Sequence, residues 1–478
     1  MQPLDKYDHV EIAQVENEAT PVYKIGMPEL TQEEKGIIER HRKIVSSKEI
    51  DELKKEPEVS MRWELLKEFL EKKLPDTANK KYLMSKIAGL AFGYDELGLL
   101  VDDDNLEEIM VNGVNTPVYI FHRKFGMCKT NLTFGSPESI RKIIFSICFV
   151  NKRDSNIPIL DIAALDGCRI NITADPLPSK GSTITIRKQR RKTFTIVELI
   201  KAGSLSSDLA SFLWLAVDGL KLTPANIIVA GSIGSGKTTT LNSLCMFIPP
   251  NERVVTIEDT LELNLDNLEN KVQLESNEEY DMDSLLRDTL RMRPDRLMVG
   301  EIRGKEAITL FNAMNIGRIG MGTLHSSSSH EVTTRLESSP MNVPASVIGS
   351  LDLILVQNKF VHKGEVVRRV TEVAEVTGSI KDTILMEKIY VWDPKEDDVI
   401  RSSEQGLETP ILFLDKLASS TKLSKEQVLK ELKKRKKILE YMARSGIIEQ
   451  EQVEDFMRRF YVDRENLEKE VPDLIQKD

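Results

Sequence analysis

The spacing of hydrophobic residues predicts that the chain begins with helices. Residues 1–94 are rich in charge, and apolar side chains recur there at helical intervals, as in LTQEEKGIIERHRKIV at 30–45. Thr31 and Glu34 stand three residues apart at the start of this run, as in a capping box that satisfies free backbone groups where a helix begins. We therefore predict a helical N-terminal region over residues 1–94.

The period then changes to alternation, which is typical of strands. EEIMVNGVNTPVYIFHRKFGM contains an Asn-Gly pair at 112–113 between alternating segments, and this predicts a β-hairpin. PESIRKIIFSICFVN at 137–151 has the spacing of an amphipathic helix, and CRINITADPLPSKGSTITIRK at 168–188 predicts two strands around a loop. The pattern predicts an α+β N-terminal domain over residues 95–190.

Short, continuous apolar runs alternate with helical patterns over residues 201–404, which is typical of a parallel α/β sheet. A basic stretch, KQRRKTF, overlaps a predicted hinge at residues 191–200. Helical spacing returns over residues 405–478, where Ser424 and Gln427 form a second capping-box pattern and predict a helical C-terminal extension. The predicted fold class is therefore α/β. The predicted buried strands are NIIVAG (226–231), RVVTIED (253–259), RLMVGE (296–301) and DLILVQ (352–357).

Composition narrows the class of protein. The 478 residues include 66 Lys and Arg against 76 Asp and Glu, a net charge of −10, so the chain as a whole does not have the charge of a nucleic-acid-binding protein. The polar N-terminus has no signal-peptide pattern, and no apolar run approaches the ~18–20 residues of a membrane-spanning helix. These features predict a cytoplasmic protein. The four cysteines form no Cys-x-x-Cys pair, which argues against a zinc knuckle or a redox motif.

The segment GSIGSGKT at 231–238 has the G-x-x-x-x-G-K-[ST] pattern of a phosphate-binding loop (P-loop). An apolar strand pattern precedes it and a helical pattern follows, which is the structural context that this motif needs. Lys237 is expected to reach the β- and γ-phosphates of ATP, and the Thr238 hydroxyl is expected to bind Mg²⁺. The predicted phosphate-binding residues are Gly231, Ser232, Ile233, Gly234, Ser235, Gly236, Lys237, Thr238 and Thr239.

Two acidic residues and a histidine end predicted strands and are predicted to act in catalysis. Glu301 ends RLMVGE and is expected to hold Mg²⁺, whereas Glu258 ends RVVTIE and is expected to polarise the attacking water. His325 follows the strand pattern IGMGTL within GTLHSSSSH. Because strand carboxyl ends face the ligand in α/β sheets, His325 is predicted to contact phosphate, with a buried structural histidine as the alternative. His330 is expected to be exposed or to cap a helix.

Several of these segments together resemble one family. LRMRPDRLMVGEIRG (290–304) is similar to the signature of the type II secretion and type IV pilus assembly ATPases, RVVTIEDTLEL (253–263) to their "Asp box", and GTLHSSSSH to their "His box". With the P-loop, all four elements occur in family order, and the likeness covers about residues 95–400. PMNVP at 340–344 and the helical extension resemble the archaeal branch of the family. An archaellum motor is the alternative within that branch, although the Pro-rich N-terminal stretch of those motors is missing.

The resemblance implies a homohexameric ring of RecA-like ATPase domains with a mobile N-terminal domain. It implies ATP and Mg²⁺ as cofactors, a polytopic membrane platform protein as a partner, and pilin-like or secreted cargo moved indirectly. The protein is then expected to be peripheral at the inner face of the cytoplasmic membrane, without direct nucleic-acid binding. Arg169 and Arg187 occupy positions that match the phosphate-contacting arginines of the family's N-terminal domain. Further candidate arginines are Arg291, Arg293, Arg303 and, at the His box, Arg318.

Two rival hypotheses come from other functional classes. A nucleic-acid translocase is a possibility because RecA-like rings also move DNA and because KELKKRKK at 430–437 is basic. A nucleotide-binding scaffold without hydrolysis is the other, and the presence of both Glu258 and Glu301 argues against it.

Overall fold

The chain forms two compact units in the structure, a computed structural model. One unit comprises Met1–Lys192 with Lys363–Val366, and the other comprises Thr193–His362 with Val367–Asp478. The residues that the structure describes are 2–16, 18–41, 52–53, 55–56, 61–188, 193–277, 279–363, 365–380, 383–404 and 407–472.

The first unit is built on a twisted sheet whose described strands are ordered β1-β2-β3-β6-β5-β4-β9-β8-β7. Its strands are β1 Gln2–Tyr7, β2 Val10–Gln14, β3 Val22–Ile25, β4 Leu106–Asn112, β5 Pro117–His122, β6 Gly126–Thr133, β7 Ile159–Ala163, β8 Arg169–Thr173 and β9 Thr183–Arg187. Its helices are α1 Gln32–His41, α2 Met61–Lys73, α3 Lys80–Ala91, α4 Gly98–Asp102 and α5 Pro137–Val150.

The N-terminal region differs from the helical prediction for residues 1–94, because it starts with three strands. In β2, Val10 and Ile12 are buried, and in β3 Tyr23 and Ile25 are buried, so each strand shows alternation over only two inward positions. Such short alternation among charged residues gives no recognisable period in sequence. The predicted capping box is present at α1, where the Thr31 N–H and the Glu34 N–H each donate to the other residue's side chain.

The elements predicted within residues 95–190 are confirmed. β4 and β5 form an antiparallel hairpin on either side of the Asn-Gly pair, with Leu106 opposite His122. The side chain of Ser136 caps α5 at the expected place. β8 and β9 are the two strands predicted around the Pro- and Gly-containing loop, and they pair antiparallel.

The second unit contains a mixed sheet in the order β12-β11-β13-β14-β10-β15-β16-β17-β18 over the described residues. Its strands are β10 Ile227–Gly231, β11 Val254–Glu258, β12 Lys271–Glu275, β13 Arg296–Ile302, β14 Ile319–His325, β15 Leu353–His362, β16 Glu365–Ile380, β17 Thr383–Asp393 and β18 Asp398–Arg401; a separate pair is β19 Ser403–Glu404 with β20 Leu407–Glu408. Its helices are α6 Ile196–Lys201, α7 Ser207–Asp218, α8 Lys237–Cys245, α9 Met282–Thr289, α10 Glu306–Asn315, α11 Ser329–Glu337, α12 Ala345–Ile348, α13 Leu412–Thr421, α14 Lys425–Ser445, α15 Gln450–Val462 and α16 Arg464–Glu470.

Strands β10 to β15 run parallel where their pairing is given, which confirms the predicted α/β class. The P-loop strand β10 lies between β14 and β15, and β14 separates it from β13. Parallel strands bring their carboxyl ends to one edge, and ligands of open α/β sheets bind at that edge. The sheet therefore places Gly231, His325, Glu258 and Glu301 along the same edge, in the arrangement expected of a RecA-like domain.

Helices α13 to α16 are integrated into the second unit. Their apolar side chains, including Leu417, Leu439 and Phe456, belong to the same buried cluster as α7 and β10. The five-segment division of the chain stays a prediction, and residues 189–192 of the predicted basic hinge lie outside the described residues. None of the helices in the described part of the chain combines the length and apolarity needed to cross a membrane.

Candidate nucleotide-binding site

The loop between β10 and α8 has the backbone that a phosphate cradle needs. Gly234 and Gly236 have φ of +69° and +96°, in the left-handed region that glycine adopts without strain. A Cβ atom on Gly231 would lie 2.1 Å from the carbonyl oxygen of Gln357, so β10 and β15 meet there too closely for any side chain. The sequence requirement for glycine at these three positions thus follows from the backbone.

The residues of this loop fit the phosphates of a nucleotide. Helix α8 begins at Lys237 without a side-chain cap, so its first backbone N–H groups and its dipole favour an anion. The Ser235 hydroxyl is fully buried and has no hydrogen-bond partner in the protein. Thr238 and Thr239 occupy the first turn of α8 and are half-buried. An anion held by this loop would give the Ser235 hydroxyl the partner that it lacks among the described residues.

Lys237, His325 and Glu301 form a continuous chain of polar contacts beside the loop. The Lys237 Nζ atom lies 3.1 Å from His325 Nδ1, and His325 Nε2 lies 2.7 Å from Glu301 Oε1. Because an ammonium group can only donate, Nδ1 must accept, and the imidazole proton resides on Nε2, the nitrogen that faces Glu301. Burial and the charge of Lys237 lower the pKa of His325, so the imidazole is neutral at physiological pH. The histidine therefore connects the P-loop lysine to the acidic residue of β13.

Glu301 is the centre of the charged side of the site. Burial raises its pKa, but the hydrogen bond and charge of Arg303, with smaller contributions from His325 and Lys237, outweigh burial and lower the pKa overall. Arg303 bonds the second carboxylate oxygen of Glu301 and also lies 3.4 Å from Asp259. The register of β13 against β14 shifts between Val299 and Ile302, so Glu301 projects from an irregular position in the strand. An ionised carboxylate and the Thr238 hydroxyl are ligands that suit Mg²⁺, which takes few protein ligands beside phosphates.

The structure places Glu258 against the loop that follows β11. Its side chain is 2% exposed, and its Oε2 atom accepts the backbone N–H groups of Glu262 and Leu263 at 2.8 and 3.0 Å. Gly300 lacks a side chain because a Cβ there would lie 2.8 Å from Glu258 Cγ. The Glu258 carboxylate thus holds the loop that follows β11. Half-buried Glu262, which that loop carries, interacts electrostatically with Arg303 and was missed in the sequence analysis.

Glu258 gives a testable dependence of stability on pH. Burial raises its pKa from 4.5 to about 7, so the folded chain binds more protons than the unfolded chain between these values. The contribution of Glu258 to stability therefore falls as pH rises through this window, by about 3 kcal/mol in total at ~1.4 kcal/mol per pH unit. Glu258→Gln keeps an oxygen that accepts both backbone N–H groups and removes the titration.

We expect the melting temperature of Glu258→Gln to rise relative to wild type by several degrees between pH 5 and pH 8. Scanning calorimetry of both proteins at these two values measures this. If the melting temperatures of the two proteins differ by the same amount at pH 5 and at pH 8, Glu258 is not a buried carboxyl group that titrates in this range.

The predicted arginines fall into separate groups. Arg169 and Arg187 stand directly opposite each other on β8 and β9 of the first unit. In the second unit, Arg303 reaches the site, as described above. Arg318 lies at the amino end of β14 and donates to the Pro294 carbonyl at 3.1 Å, so it lies at the sheet edge opposite the P-loop.

Two more cations lie beside the P-loop and were missed in the sequence analysis. Arg368 on β16 donates through Nε to the carbonyl of Gly234 at 2.9 Å. Lys359 on β15 would lie 3.5 Å from a Cβ atom on Gly234. Both residues come from strands more than 120 residues after the motif, with no sequence pattern that links them to it.

The comparisons with known proteins agree with this geometry. The sequence profile of the Type II/IV secretion system protein family matches residues 160–407, which is more than half of the chain. The chain belongs to this family. This match confirms the family that the P-loop, Asp-box and His-box motifs predict. It also confirms the predicted enzyme class, because the members of this family are ATPases of secretion and pilus systems.

Individual relatives cover different parts of the chain. An uncharacterized protein of Methanocaldococcus jannaschii is 46% identical to this chain over an aligned region. That region covers 47% of this chain and 33% of the Methanocaldococcus protein. The conjugal transfer protein TrbB of Rhizobium radiobacter is 30% identical over 59% of this chain and 88% of its own length. The crystal structure of the VirB11 ATPase of the Brucella suis type IV secretion system has 25% identity over 59% of this chain and 93% of VirB11, with a TM-score of 0.32. The chain thus spans about a third of the Methanocaldococcus relative and most of TrbB and VirB11.

Proposed function

We propose that the protein hydrolyses ATP with Mg²⁺ and uses the energy to drive protein secretion or the assembly of pilus-like filaments. The observation that carries this proposal is the chain of contacts from Lys237 through neutral His325 to ionised Glu301 beside an uncapped helix start. A loop that binds only phosphate needs no such connection to a carboxylate. A loop that catalyses phosphoryl transfer does need charges placed around the terminal phosphate.

In this proposal each residue beside the P-loop has a separate role. Lys237 exchanges His325 for the β- and γ-phosphates when the nucleotide binds, because phosphate is the stronger acceptor for an ammonium group. His325 Nδ1, freed from Lys237, would then take up a proton from solvent and donate it to a phosphate oxygen, while Nε2 stays beside Glu301. Glu301 and Thr238 would hold Mg²⁺, which when bound neutralises charge that develops on the phosphates.

The two acidic residues Glu258 and Glu262 act together in this proposal. Glu258 holds the loop after β11 in place, and Glu262, which that loop presents, is the carboxylate that we propose to orient the attacking water. Direct action of Glu258 on the attacking water is the alternative, in which its Oε2 atom keeps the two backbone N–H groups and its Oε1 atom acts on the water.

The wider proposal is a motor. We propose a cytoplasmic homohexamer that is peripheral at the inner face of the membrane, acts on a polytopic platform protein and moves pilin-like or secreted cargo indirectly. Arg169 and Arg187 are proposed to supplement the phosphate site, because their positions match those of the phosphate-contacting arginines of the family's N-terminal domain. The identity with the Methanocaldococcus protein supports the archaeal branch, and the archaellum motor is the alternative within it.

The basic stretch at residues 430–437 favours this protein motor over a nucleic-acid translocase. Four of its six cations form ion pairs with carboxylates of the same unit, so they are not a continuous basic surface. The pairs are Lys430 with Glu426, Lys434 with Glu468, Arg435 with Asp218, and Lys436 with Asp208.

The role of His325 gives a direct test of the proposal. His325→Ala is expected to slow ATP turnover roughly tenfold or more, because the proposed contact between the terminal phosphate and the imidazole beside Glu301 is lost. Binding of the fluorescent nucleotide mant-ADP is expected to change less than twofold. The matched control is His330→Ala, which removes the exposed second histidine of the same segment and is expected to leave turnover unchanged. Equal turnover in His325→Ala and wild type would refute the proposed role.

A further inference from the structure

The tip of the P-loop is exposed, and a residue outside the motif contacts it. Ser232, Ile233 and Gly234 are exposed, with Ile233 at 81%, and the turn that they form is closed by a hydrogen bond from Ser235 N–H to the Ser232 carbonyl at 3.2 Å. Gly234 adopts a left-handed φ that glycine can leave without strain. Such a loop samples other conformations unless something holds it, and each of these reduces its affinity for phosphate.

Arg368 is placed to hold this loop. Its Nε atom donates to the Gly234 carbonyl at 2.9 Å, and its Cδ atom would lie 3.6 Å from a Cβ on Gly236. The side chain therefore lies along both glycines with positive φ. A bond to the Gly234 carbonyl fixes the plane of the peptide between Gly234 and Ser235, which is the middle of the cradle.

The strand that carries Arg368 is itself firmly held within the second unit. The neighbouring Arg369 is buried and makes two hydrogen bonds to Asp397, at 2.9 and 3.0 Å. The backbone N–H of Val370 donates to the Ser204 carbonyl at 2.8 Å. Four residues after Arg368, Glu372 accepts the backbone N–H of Ser329 at 2.6 Å. A side chain positions a loop well when its own backbone is fixed in this way.

We propose that Arg368 is a positioning residue of the nucleotide site, which preorganises the P-loop for the phosphates of ADP and ATP through the Gly234 carbonyl. This proposal rests on the proposed nucleotide binding at the P-loop, but it does not require hydrolysis. Its effect is on nucleotide affinity, because a preorganised loop binds the ground state and the transition state alike.

The test compares variants of the full chain in titrations with mant-ADP. Arg368→Ala is expected to raise the dissociation constant about tenfold, since it removes a hydrogen bond from a charged donor. Arg368→Lys keeps the charge but lacks the Nε donor and the planar guanidinium group. Its dissociation constant for mant-ADP is therefore expected to rise about as much as that of Arg368→Ala. Arg458→Ala, which removes an exposed arginine on α15, is the matched control and should bind like wild type.

Turnover separates positioning from catalysis and from folding. Arg368→Ala is expected to raise KM for ATP about tenfold while kcat changes less than twofold, as for an interaction that is equal in the ground and transition states. Wild-type affinity in Arg368→Ala would overturn the proposal. If Arg368→Lys binds mant-ADP like wild type while Arg368→Ala binds weakly, the effect is one of charge in general, and this result would also overturn the proposal. If wild type binds mant-ADP without hydrolysing ATP, the proposed function fails, and the binding titrations still decide the role of Arg368.

Discussion

Glu301→Gln is expected to lower ATP turnover by about 100- to 1000-fold, the usual cost of removing one electrostatic group from a phosphoryl- or acyl-transfer site. The Glu301 carboxylate accepts a hydrogen bond from Arg303 and lies 2.7 Å from His325 Nε2. Burial raises the pKa of Glu301, but the hydrogen bond and positive charge of Arg303 lower it overall. Glutamine has nearly the same shape and can keep an oxygen on the side that faces His325 Nε2. The substitution therefore removes charge while leaving the packing in place.

The measurement is steady-state phosphate release at saturating ATP and Mg²⁺. The melting temperature and the mant-ADP affinity of Glu301→Gln should both stay close to those of wild type, because the P-loop donors are untouched. Turnover within tenfold of wild type would contradict the place of Glu301 at the centre of the site. Arg335→Gln, on an exposed ion pair of α11, serves as a control of similar surface change.

The second large effect concerns the C-terminal helices. Arg435 of α14 is 1% exposed, lies 2.8 Å from Asp218 at the end of α7, and stacks over Trp214 at 5.1 Å. The hydroxyl of Tyr461 also donates to Asp218, at 3.2 Å. Removing one member of a buried ion pair leaves the other charged and unpaired, at a cost of about 3–5 kcal/mol. Arg435→Met is therefore expected to lower the melting temperature of the second unit strongly.

A double variant and a control on the same helix make this prediction specific. Arg435→Met with Asp218→Asn should recover much of the loss, because no charge is then left buried. Lys430→Met removes the exposed pair with Glu426 and should cost less than ~0.5 kcal/mol. Calorimetry distinguishes these cases. Equal melting temperatures for Arg435→Met and Lys430→Met would show that α14 is not anchored through Arg435.

Sequence patterns predicted the parts of the fold that depend on local periodicity. The buried strands of the second unit are short, continuous apolar runs, and the P-loop glycines have to stand where the backbone turns. The three N-terminal strands were missed because β1 buries no side chain and β2 and β3 bury two each, such as Val10 and Ile12 in β2. The C-terminal helices were predicted, but their burial against α7 was not, because an arginine such as Arg435 gives no sign in sequence that its partner is buried.

Sequence patterns also predicted only part of the nucleotide-binding site. Glu301 and His325 lie where strand ends were expected to place them, at the carboxyl edge of the sheet. Glu258 also ends a strand, but sequence cannot tell whether a carboxylate there faces a ligand or folds back onto backbone N–H groups. Arg368 follows Gly234 by 134 residues and reaches it only because β15 and β16 lie beside β10 in the sheet. Contacts of this kind are set by strand order, which the motif does not contain.

The central claim, ATP hydrolysis at this P-loop, is tested most directly by phosphate release from the purified full chain and from Lys237→Ala. Lys237 contacts His325 and the Ser232 carbonyl inside the loop, so its loss removes the cation that the phosphates require. We expect wild type to release phosphate from Mg-ATP steadily, and Lys237→Ala to release it no faster than buffer. Equal rates in the two proteins, whether both active or both inactive, would contradict the account.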